Sequence, residues 1–329
     1  MLFHALTLRH VQHVSDWAWR RNAQASIDLP GFTLSIRCSG QEQRLFARFL
    51  IRPQGRLAYA TSLLTEGNQG CIGWLPYERR QWPLAVDKLE FKKACVASAL
   101  QTPPWWTKPA AQATHVLIKP TRGSFGVGVR GPFRQLARAD ADLIPAEGQF
   151  LERYIPGAAI KVWYWDRTPI CVEVLEPLQV IGDGKQAVEQ LTSARFPLGA
   201  QASREAFESR RQALEALLAY QDVQWATVLQ NGRSVVVDFL YGSPLRPSDH
   251  ENTNRLATIA EPMRRELFEA GSKFWQMIPP EQRSGVLYAT DGVIDPEGRI
   301  WWLEMNCNPM VPPDGYAFML DSLFGIEPS

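Results

Sequence analysis

The feature that most constrains the fold of this chain is a run of short segments, from residue 115 to residue 181, in which apolar and polar side chains alternate. The run consists of HVLIKP, GVGVRG, QFLERYI, AIKVWYW and PICVEVLEPLQVI, joined by turn-forming stretches such as TRGSFG and WDRTP. Alternation with a period of two is typical of half-buried strands, and short turns join antiparallel neighbours. The sequence therefore predicts a small antiparallel unit of five strands in the middle of the chain.

The regions on either side of this unit mix helices with strands. Helical periodicity predicts helices over residues 87–100, 204–220 and 261–277. The first of these carries Leu89, Ala94 and Val96 among lysines and glutamates, a pattern typical of a surface helix. Residues 1–80 give the weakest signals, with strands or short mixed elements at 31–38, 44–51 and 56–64. We predict an α+β or α/β fold with several sheets.

Two further hairpins are indicated by turn signals between β-rich stretches. The first covers residues 227–242 around Asn231-Gly232, and the second covers residues 285–306 around a turn at 295–298.

Composition and charge exclude several classes of function. The 329 residues include 35 Lys and Arg against 34 Asp and Glu, so we expect no binding of nucleic acid through bulk positive charge. No apolar run approaches the ~20 residues of a membrane helix, and Arg9 and His10 interrupt the apolar stretch at the start, so neither a membrane span nor a secretory signal is predicted. The five cysteines are widely spaced, which indicates neither a disulfide framework nor a zinc site. We expect a cytoplasmic protein.

The closing hairpin carries a group of oxygen-bearing side chains. Glu304 and Asn306 are two residues apart on a strand and therefore point to one face. If Ile294 pairs with Arg299, Asp291 faces Trp302 and lies on that same face. Two carboxylates and a carboxamide suit Mg²⁺ that is also bound by phosphate oxygens. An exposed hairpin with a polar outer face would give the same pattern.

A glycine-rich loop follows a strand that ends in lysine. The stretch IKPTRGSFGVGV (118–129) contains Lys119, Gly123, Ser124, Gly126 and Gly128. Glycines allow backbone N–H groups to wrap an anion, and the serine and lysine add a hydroxyl donor and a positive charge. The pattern is neither a Walker A loop nor a Rossmann fingerprint. A glycine-rich hairpin without a ligand remains the alternative.

A third segment, QFLERYIPG (149–157), follows about 20 residues after the loop. An extended segment with Glu152 among apolar neighbours can present backbone groups to the edge of a planar base. Taken alone, the segment is an edge strand that ends at Pro-Gly.

Taken in order, these motifs resemble the ATP-grasp family, and within it the carboxylate–amine ligases such as D-alanine–D-alanine ligase and the glutamate and cyanophycin ligases. The resemblance covers about residues 86–315. It rests on Asp87-Lys88-Leu89, Ile118-Lys119-Pro120, the loop Gly123–Gly128, Leu151-Glu152-Arg153-Tyr154-Ile155, Val180–Lys185, and Asp291 with Leu303–Pro309. It implies an ATP-grasp fold in which two β-rich subdomains sandwich ATP, preceded by a smaller N-terminal α/β domain.

The resemblance also implies domain bounds. We expect an N-terminal domain at residues 1–86, an ATP-grasp subdomain at 87–190 that includes the glycine-rich lid (about 115–160), and a C-terminal subdomain with the metal site at 191–329.

The same resemblance implies roles for individual residues in binding ATP. Lys88 and Lys119 match the two lysines that contact the phosphates and the base. Glu152 matches the acceptor of the adenine amino group, and Arg153 and Ile155 match residues that offer backbone atoms to the ring. The mobile flap that closes over the triphosphate corresponds to Gly123, Ser124, Phe125, Gly126, Val127 and Gly128.

Asp291, Glu304 and Asn306 match the ligands of two Mg²⁺ ions, for which Mn²⁺ is a possible substitute.

Three positions depart from the family pattern. Ala159 stands where an acidic residue usually holds the ribose, Met310 where a glycine is expected, and Ala289 where an arginine often neutralises the acyl phosphate. Lys161 is the first candidate for the missing catalytic cation and Arg246 is the second. A solvated surface charge is the alternative for each.

The implied activity is the joining of a carboxylate to an amine, on a small molecule or a peptide, through an acyl phosphate. Two other functions stay open at this point: a kinase that phosphorylates a hydroxyl with the same grip on ATP, and a nucleotide-binding module without activity. The sequence does not define the oligomeric state.

Overall fold

The computed structural model of the chain describes residues 2–53, 57–110, 113–123, 126–135, 145–197, 201–243, 245–246 and 254–327. The helices are α1 (Leu2–Arg20), α2 (Lys88–Ala97), α3 (Val188–Arg195), α4 (Gln201–Tyr220), α5 (Glu261–Met277) and α6 (Tyr316–Leu323). The strands are β1 (Gln24–Asp28), β2 (Thr33–Cys38), β3 (Gln41–Ile51), β4 (Ala58–Ala60), β5 (Asn68–Leu75), β6 (Trp105–Trp106), β7 (Thr114–Pro120), β8 (Arg130–Gln135), β9 (Gln149–Arg153), β10 (Ala158–Trp165), β11 (Thr168–Leu175), β12 (Leu178–Ile181), β13 (Ser234–Asp238), β14 (Leu287–Ile294) and β15 (Ile300–Cys307). This mixture of helices with antiparallel sheets confirms the α+β class.

The described strands form four sheets. The N-terminal sheet has the order β1-β2-β3-β4, with β5 also paired to β3. The glycine-loop sheet has the order β6-β9-β7-β8, and the C-terminal sheet has the order β11-β10-β14-β15. Strands β12 and β13 form a two-stranded sheet.

The prediction of one five-stranded unit over residues 115–181 was wrong, because its strands divide among three of these sheets. Strand β10 leaves β9 at Pro156-Gly157 and pairs with β14, which lies more than a hundred residues further along the chain. A Cβ on Gly157 would lie 2.0 Å from the backbone oxygen of Ile294, so only glycine permits this close approach. Alternation predicts that a segment is a strand but does not identify its partner.

Helix α5 covers one face of the C-terminal sheet. The Phe274 ring packs edge-on against Tyr164 and Trp302, with ring centroids 5.9 and 5.1 Å apart. A Cβ on Gly271 would lie 2.4 Å from the backbone oxygen of Arg167, so this glycine sets how closely the helix approaches. Because α5 covers one face with apolar contacts, accessible polar side chains of this sheet can project only from the opposite face.

The N-terminal sheet and the C-terminal sheet belong to one hydrophobic core, which also includes residues of α1, α2, α5 and α6. Helix α1 was not predicted. It buries Val14, Trp17 and Ala18 together with His10, which interrupts the apolar pattern in the sequence. The His10 ring lies 3.2 Å from the hydroxyl of Tyr316, and burial lowers the pKa of this histidine to about 3, so the core receives it uncharged.

The predicted hairpin over residues 227–242 was also wrong. The turn at Asn231-Gly232 exists, with Gly232 at a φ of 80°, but the strand that follows it pairs with β12 rather than with residues 227–229. The register joins Val180 to Val235, and both side chains are buried in a second hydrophobic cluster. Burial of these valines therefore selects the distant partner.

None of the described helices has the length and apolar character needed to span a bilayer.

Candidate active site

The C-terminal sheet brings Asp291, Glu304 and Asn306 to the face that α5 leaves uncovered. In the pairing of β14 with β15, Asp291 stands opposite Glu304, and Ala289 stands opposite Asn306. Paired residues point to the same face of a sheet. The Asn306 amide nitrogen donates to Oδ2 of Asp291 at 2.8 Å, so the three side chains for which metal binding is predicted lie together.

The register of this hairpin differs from the predicted one. Ile294 pairs with Ile300, not with Arg299, and the register shifts between Asp291 and Gly292. The shift leaves Leu303 as an extra residue in β15, so Asp291 faces Glu304 rather than Trp302. A β-bulge of this kind re-aims side chains and is common beside active sites. Here it sets two carboxylates directly opposite each other.

Two lysines stand against these carboxylates. The Lys161 ammonium, on β10, lies 2.6 Å from Oδ1 of Asp291, and the Lys88 ammonium, at the start of α2, lies 2.9 Å from Oε2 of Glu304. Lys88 also donates to the backbone oxygen of Gly123 at 2.7 Å, which connects the acidic face to the glycine loop. We call Asp291, Glu304, Asn306, Lys161 and Lys88 the sheet site.

The sheet site has the donor set of a divalent-cation site. Burial raises the pKa of the Glu304 carboxyl, Lys88 opposes that rise, and the adjacent Asp291 adds to it. Two carboxylates and one amide are hard oxygen donors of the kind that Mg²⁺ prefers when it keeps waters and phosphate oxygens as further ligands. In the described part of the chain no three His, Cys, Asp or Glu side chains group closely enough to hold a metal ion, so an ion at the sheet site would also need the Asn306 amide and ligands from outside the chain.

A second charged cluster lies in the glycine-loop sheet. Glu152, on β9, is 1% exposed and forms ion pairs with Lys119 on β7 and with Lys92 on α2, the second at 2.5 Å. Burial would raise the pKa of Glu152, but the two ammonium groups hold it below its ordinary value. We call Lys92, Glu152 and Lys119 the buried triad; with two cations to one anion, it has an excess positive charge that an anionic ligand would balance.

Lys92 is the residue that sequence reasoning missed. The sequence predicted a surface helix here, but α2 buries Phe91, Lys92 and Cys95, whereas Val96 is 60% exposed. Lys92 also donates to the hydroxyl of Thr102 at 2.9 Å. Its position between two buried residues, on the same side of the helix as Lys88, is the signal that could have identified it.

The glycine loop is a turn rather than the predicted strand. Residues 126–128 form a turn and β8 begins only at Arg130, because Gly123, Gly126 and Gly128 have φ values of 128°, 69° and 78°. A Cβ on Gly126 would lie 2.6 Å from Cδ1 of Leu240. Val127 is 69% exposed. The candidates Ser124 and Phe125 lie outside the described residues.

Arg153 and Ile155, for which contact with a base is predicted, lie at the end of β9 and just after it. The Arg153 backbone N–H donates to Pro104 at 2.9 Å, and the Tyr154 N–H donates to His115 at 2.7 Å. Ile155 follows the strand and precedes Pro156.

The two candidate cations have different surroundings. Lys161 contacts Asp291, and its ammonium lies 5.1 Å from the ring centre of Tyr241. The guanidinium of Arg246 donates instead to the backbone oxygen of Glu176 at 2.8 Å.

The structure also shows the surroundings of the three positions that depart from the family pattern. Ala159 and Ala289 are both buried, and the Met310 backbone oxygen accepts from the Trp163 indole at 2.8 Å.

No family model and no curated protein matches the sequence. Solved structures do match. A bifunctional glutathione synthetase from Pasteurella multocida is 13% identical with a TM-score of 0.45, and the match covers 97% of this chain and 43% of that one. The D-alanine–D-alanine ligase from Bacillus anthracis complexed with ATP is 12% identical with a TM-score of 0.35, covering 74% and 62%. An L-amino acid ligase from Bacillus licheniformis is 12% identical with a TM-score of 0.35, covering 72% and 45%.

The chain therefore spans less than two thirds of the length of each of these three proteins. The matched structures are ATP-grasp ligases, the superfamily that the sequence motifs resemble. With TM-scores below 0.5, these likenesses carry no argument about this chain, and its function is argued from its own residues.

Proposed function

We propose that this chain is an ATP-dependent ligase of the ATP-grasp type that joins a carboxylate to an amine and releases ADP and phosphate. The observation that supports this most is the sheet site: Asn306 and Asp291 are hydrogen-bonded at 2.8 Å, Glu304 stands opposite Asp291, and Lys88 links Glu304 to the glycine loop. A structural hairpin would have no need of two opposed carboxylates with a lysine on each.

In this proposal Asp291, Glu304 and Asn306 hold Mg²⁺, with two ions expected and Mn²⁺ as a possible substitute. The ion would supply charge neutralisation at the phosphate oxygens.

The lysines and the loop bind the triphosphate. Lys88 and the loop at Gly123 lie together at the edge of the sheet site. The buried triad offers the excess positive charge of Lys92 and Lys119. Since little covalent chemistry falls to the protein in phosphoryl transfer, binding and alignment by these groups are its main contribution.

Lys161 is the group that we assign to the reacting carboxylate. The Lys161 side chain is on the face that carries Asp291, and 15% of it is exposed. A negatively charged oxygen of the substrate can therefore reach its ammonium group. By stabilising charge that develops on the acyl phosphate, Lys161 would act in place of the arginine that Ala289 replaces. Closure of the glycine loop would exclude water, which otherwise hydrolyses an acyl phosphate.

Release of ADP, measured in the presence of Mg²⁺ over a panel of amino acids, dipeptides, other carboxylic acids and alcohols, tests this proposal. We expect ADP and phosphate to appear only when a carboxylate and an amine are both present. ADP formation with an alcohol alone would show that the chain is a kinase and not a ligase. Absence of ADP with every member of the panel would contradict an enzymatic function.

A further inference from the structure

Glu173 is a buried carboxyl to which the reaction above gives no role. It lies on β11, is 3% exposed, and stands directly opposite Lys161 of β10. Lys161 in turn stands opposite Asp291, and Asp291 opposite Glu304. Glu173, Lys161, Asp291 and Glu304 therefore form a row across all four strands of the C-terminal sheet, on the face of the sheet site.

One oxygen of Glu173 lacks a partner. Its Oε2 accepts a hydrogen bond from the hydroxyl of Tyr241, whereas Oε1 has no hydrogen-bond partner among the described residues. The nearest cation in the row, Lys161, is already paired with Asp291 at 2.6 Å. An unpaired oxygen on a buried carboxyl is costly unless a ligand satisfies it.

The charge around Glu173 favours a cationic ligand. Burial raises the pKa of this carboxyl; Tyr241 and Lys161 oppose the rise, and the negative charges of Asp291 and Asp314 add to it. A metal ion would need several further donors, and no cluster of three metal-ligating side chains occurs within the described ranges. An ammonium group, with three N–H donors, needs only one carboxylate oxygen and neighbouring acceptors.

We propose that Glu173 is the binding site for the ammonium group of the amine substrate, a proposal that rests on the ligase function above. Neighbouring strands lie about 4.8 Å apart, so Glu173 and Asp291 are about 10 Å apart, with Lys161 between them. A carboxyl group held at Lys161 would then have the phosphate on the side of Asp291 and the amine on the side of Glu173. Tyr241 fixes the Glu173 carboxylate and keeps its ring over Lys161.

Binding of n-butylammonium to the 329-residue chain without nucleotide, measured by saturation-transfer NMR, tests the site. The isostere n-butanol has no charge and is the matched probe. We expect saturable binding of butylammonium to the wild-type protein and a loss of affinity of about 10- to 100-fold in Glu173→Gln, because a hydrogen bond to a charged group is lost. Binding of n-butanol should not change.

Two further variants separate this site from general charge and from the fold. Glu176→Gln removes an exposed carboxylate three residues away, and we expect it to bind butylammonium as the wild type does. Tyr241→Phe keeps the charge of Glu173 and removes only its donor, so we expect a loss smaller than about 10-fold.

Equal affinity in the wild type and Glu173→Gln, or no binding to the wild type, would overturn the assignment. Because this measurement needs no ATP, its failure is distinct from failure of the ligase proposal, which the ADP assay decides.

Discussion

The sheet site and the buried triad are both built from lysines paired with carboxylates, but they differ in charge and in access. In the sheet site two lysines balance two carboxylates, whose side chains are 22% exposed. In the buried triad two lysines share the single carboxylate of Glu152, which is 2% exposed as a side chain. The first cluster is therefore the one that solvent and a further cation can reach, whereas the second has more lysines than carboxylates.

This difference explains how one site could hold both a metal ion and a polyphosphate. In the proposed function the acidic face would accept the cation and the lysine-rich cluster would attract the anion, and Lys88 contacts both Glu304 and Gly123. Four changes would break or sharpen this comparison.

The largest effect is expected at the sheet site. Glu304→Gln or Asp291→Asn removes a charge that the proposed metal requires, and we expect the rate of ADP formation to fall at least ~1000-fold with the fold intact. Steady-state turnover with circular dichroism measures both. Glu297→Gln, in the exposed turn of the same hairpin, is the control. Wild-type turnover in either sheet-site variant would contradict the assignment of that carboxylate as a metal ligand.

The buried triad should respond in stability as well as in binding. Glu152→Gln leaves Lys92 and Lys119 side by side without an anion, and we expect the free energy of unfolding to fall by about 3–5 kcal/mol. Urea denaturation measures this change, and the exposed neighbour Glu147 supplies the control Glu147→Gln. A loss equal to that of the control would show that the triad is not a buried, mutually dependent unit.

The two candidate cations can be compared directly. Lys161→Met removes the ammonium beside Asp291, and we expect kcat to fall about 100-fold with a smaller change in the KM for ATP. Arg246→Met removes a guanidinium that binds the Glu176 backbone, and we expect less than about a 10-fold change. A larger fall in kcat in Arg246→Met than in Lys161→Met would assign the catalytic cation to Arg246 instead.

The smallest effect is expected in the loop. Gly126→Ala places a methyl 2.6 Å from Leu240 at a φ of 69°, and we expect the KM for ATP to rise by about 5-fold because the loop is strained by about 1 kcal/mol. Gly232→Ala has a similar φ of 80° with nothing within 4 Å of the new methyl, so it reports strain alone. Identical KM values for ATP in both variants would contradict a role of the glycine loop in nucleotide binding.

Sequence patterns predicted the local elements better than their partners. The closing hairpin was predicted because alternation and the turn at 295–298 agree, and helix α5 was predicted with the same bounds. The register within the hairpin depends on the bulge at Leu303, which leaves no trace in an alternating pattern. The convergence of Asp291 with Glu304 was therefore expected for a register that the chain does not use.

Residues with polar or charged side chains in buried positions were also missed. Lys92 is fully buried on α2 because Glu152 and Thr102 satisfy its ammonium, and His10 is buried on α1 beside Tyr316. Thr102 is ten residues away in sequence, whereas Glu152 lies on a strand in another part of the chain. A helix that carries such residues resembles a surface helix until the tertiary partners are known.

Anomalous diffraction from a crystal soaked with Mn²⁺ and a non-hydrolysable ATP analogue tests the central claim most directly. We predict manganese peaks within coordinating distance of Asp291 and Glu304, with Lys88 moved off Glu304 onto phosphate oxygens and Lys161 no longer paired with Asp291. Manganese bound elsewhere on the chain, with both lysines still paired to Asp291 and Glu304, would contradict the account.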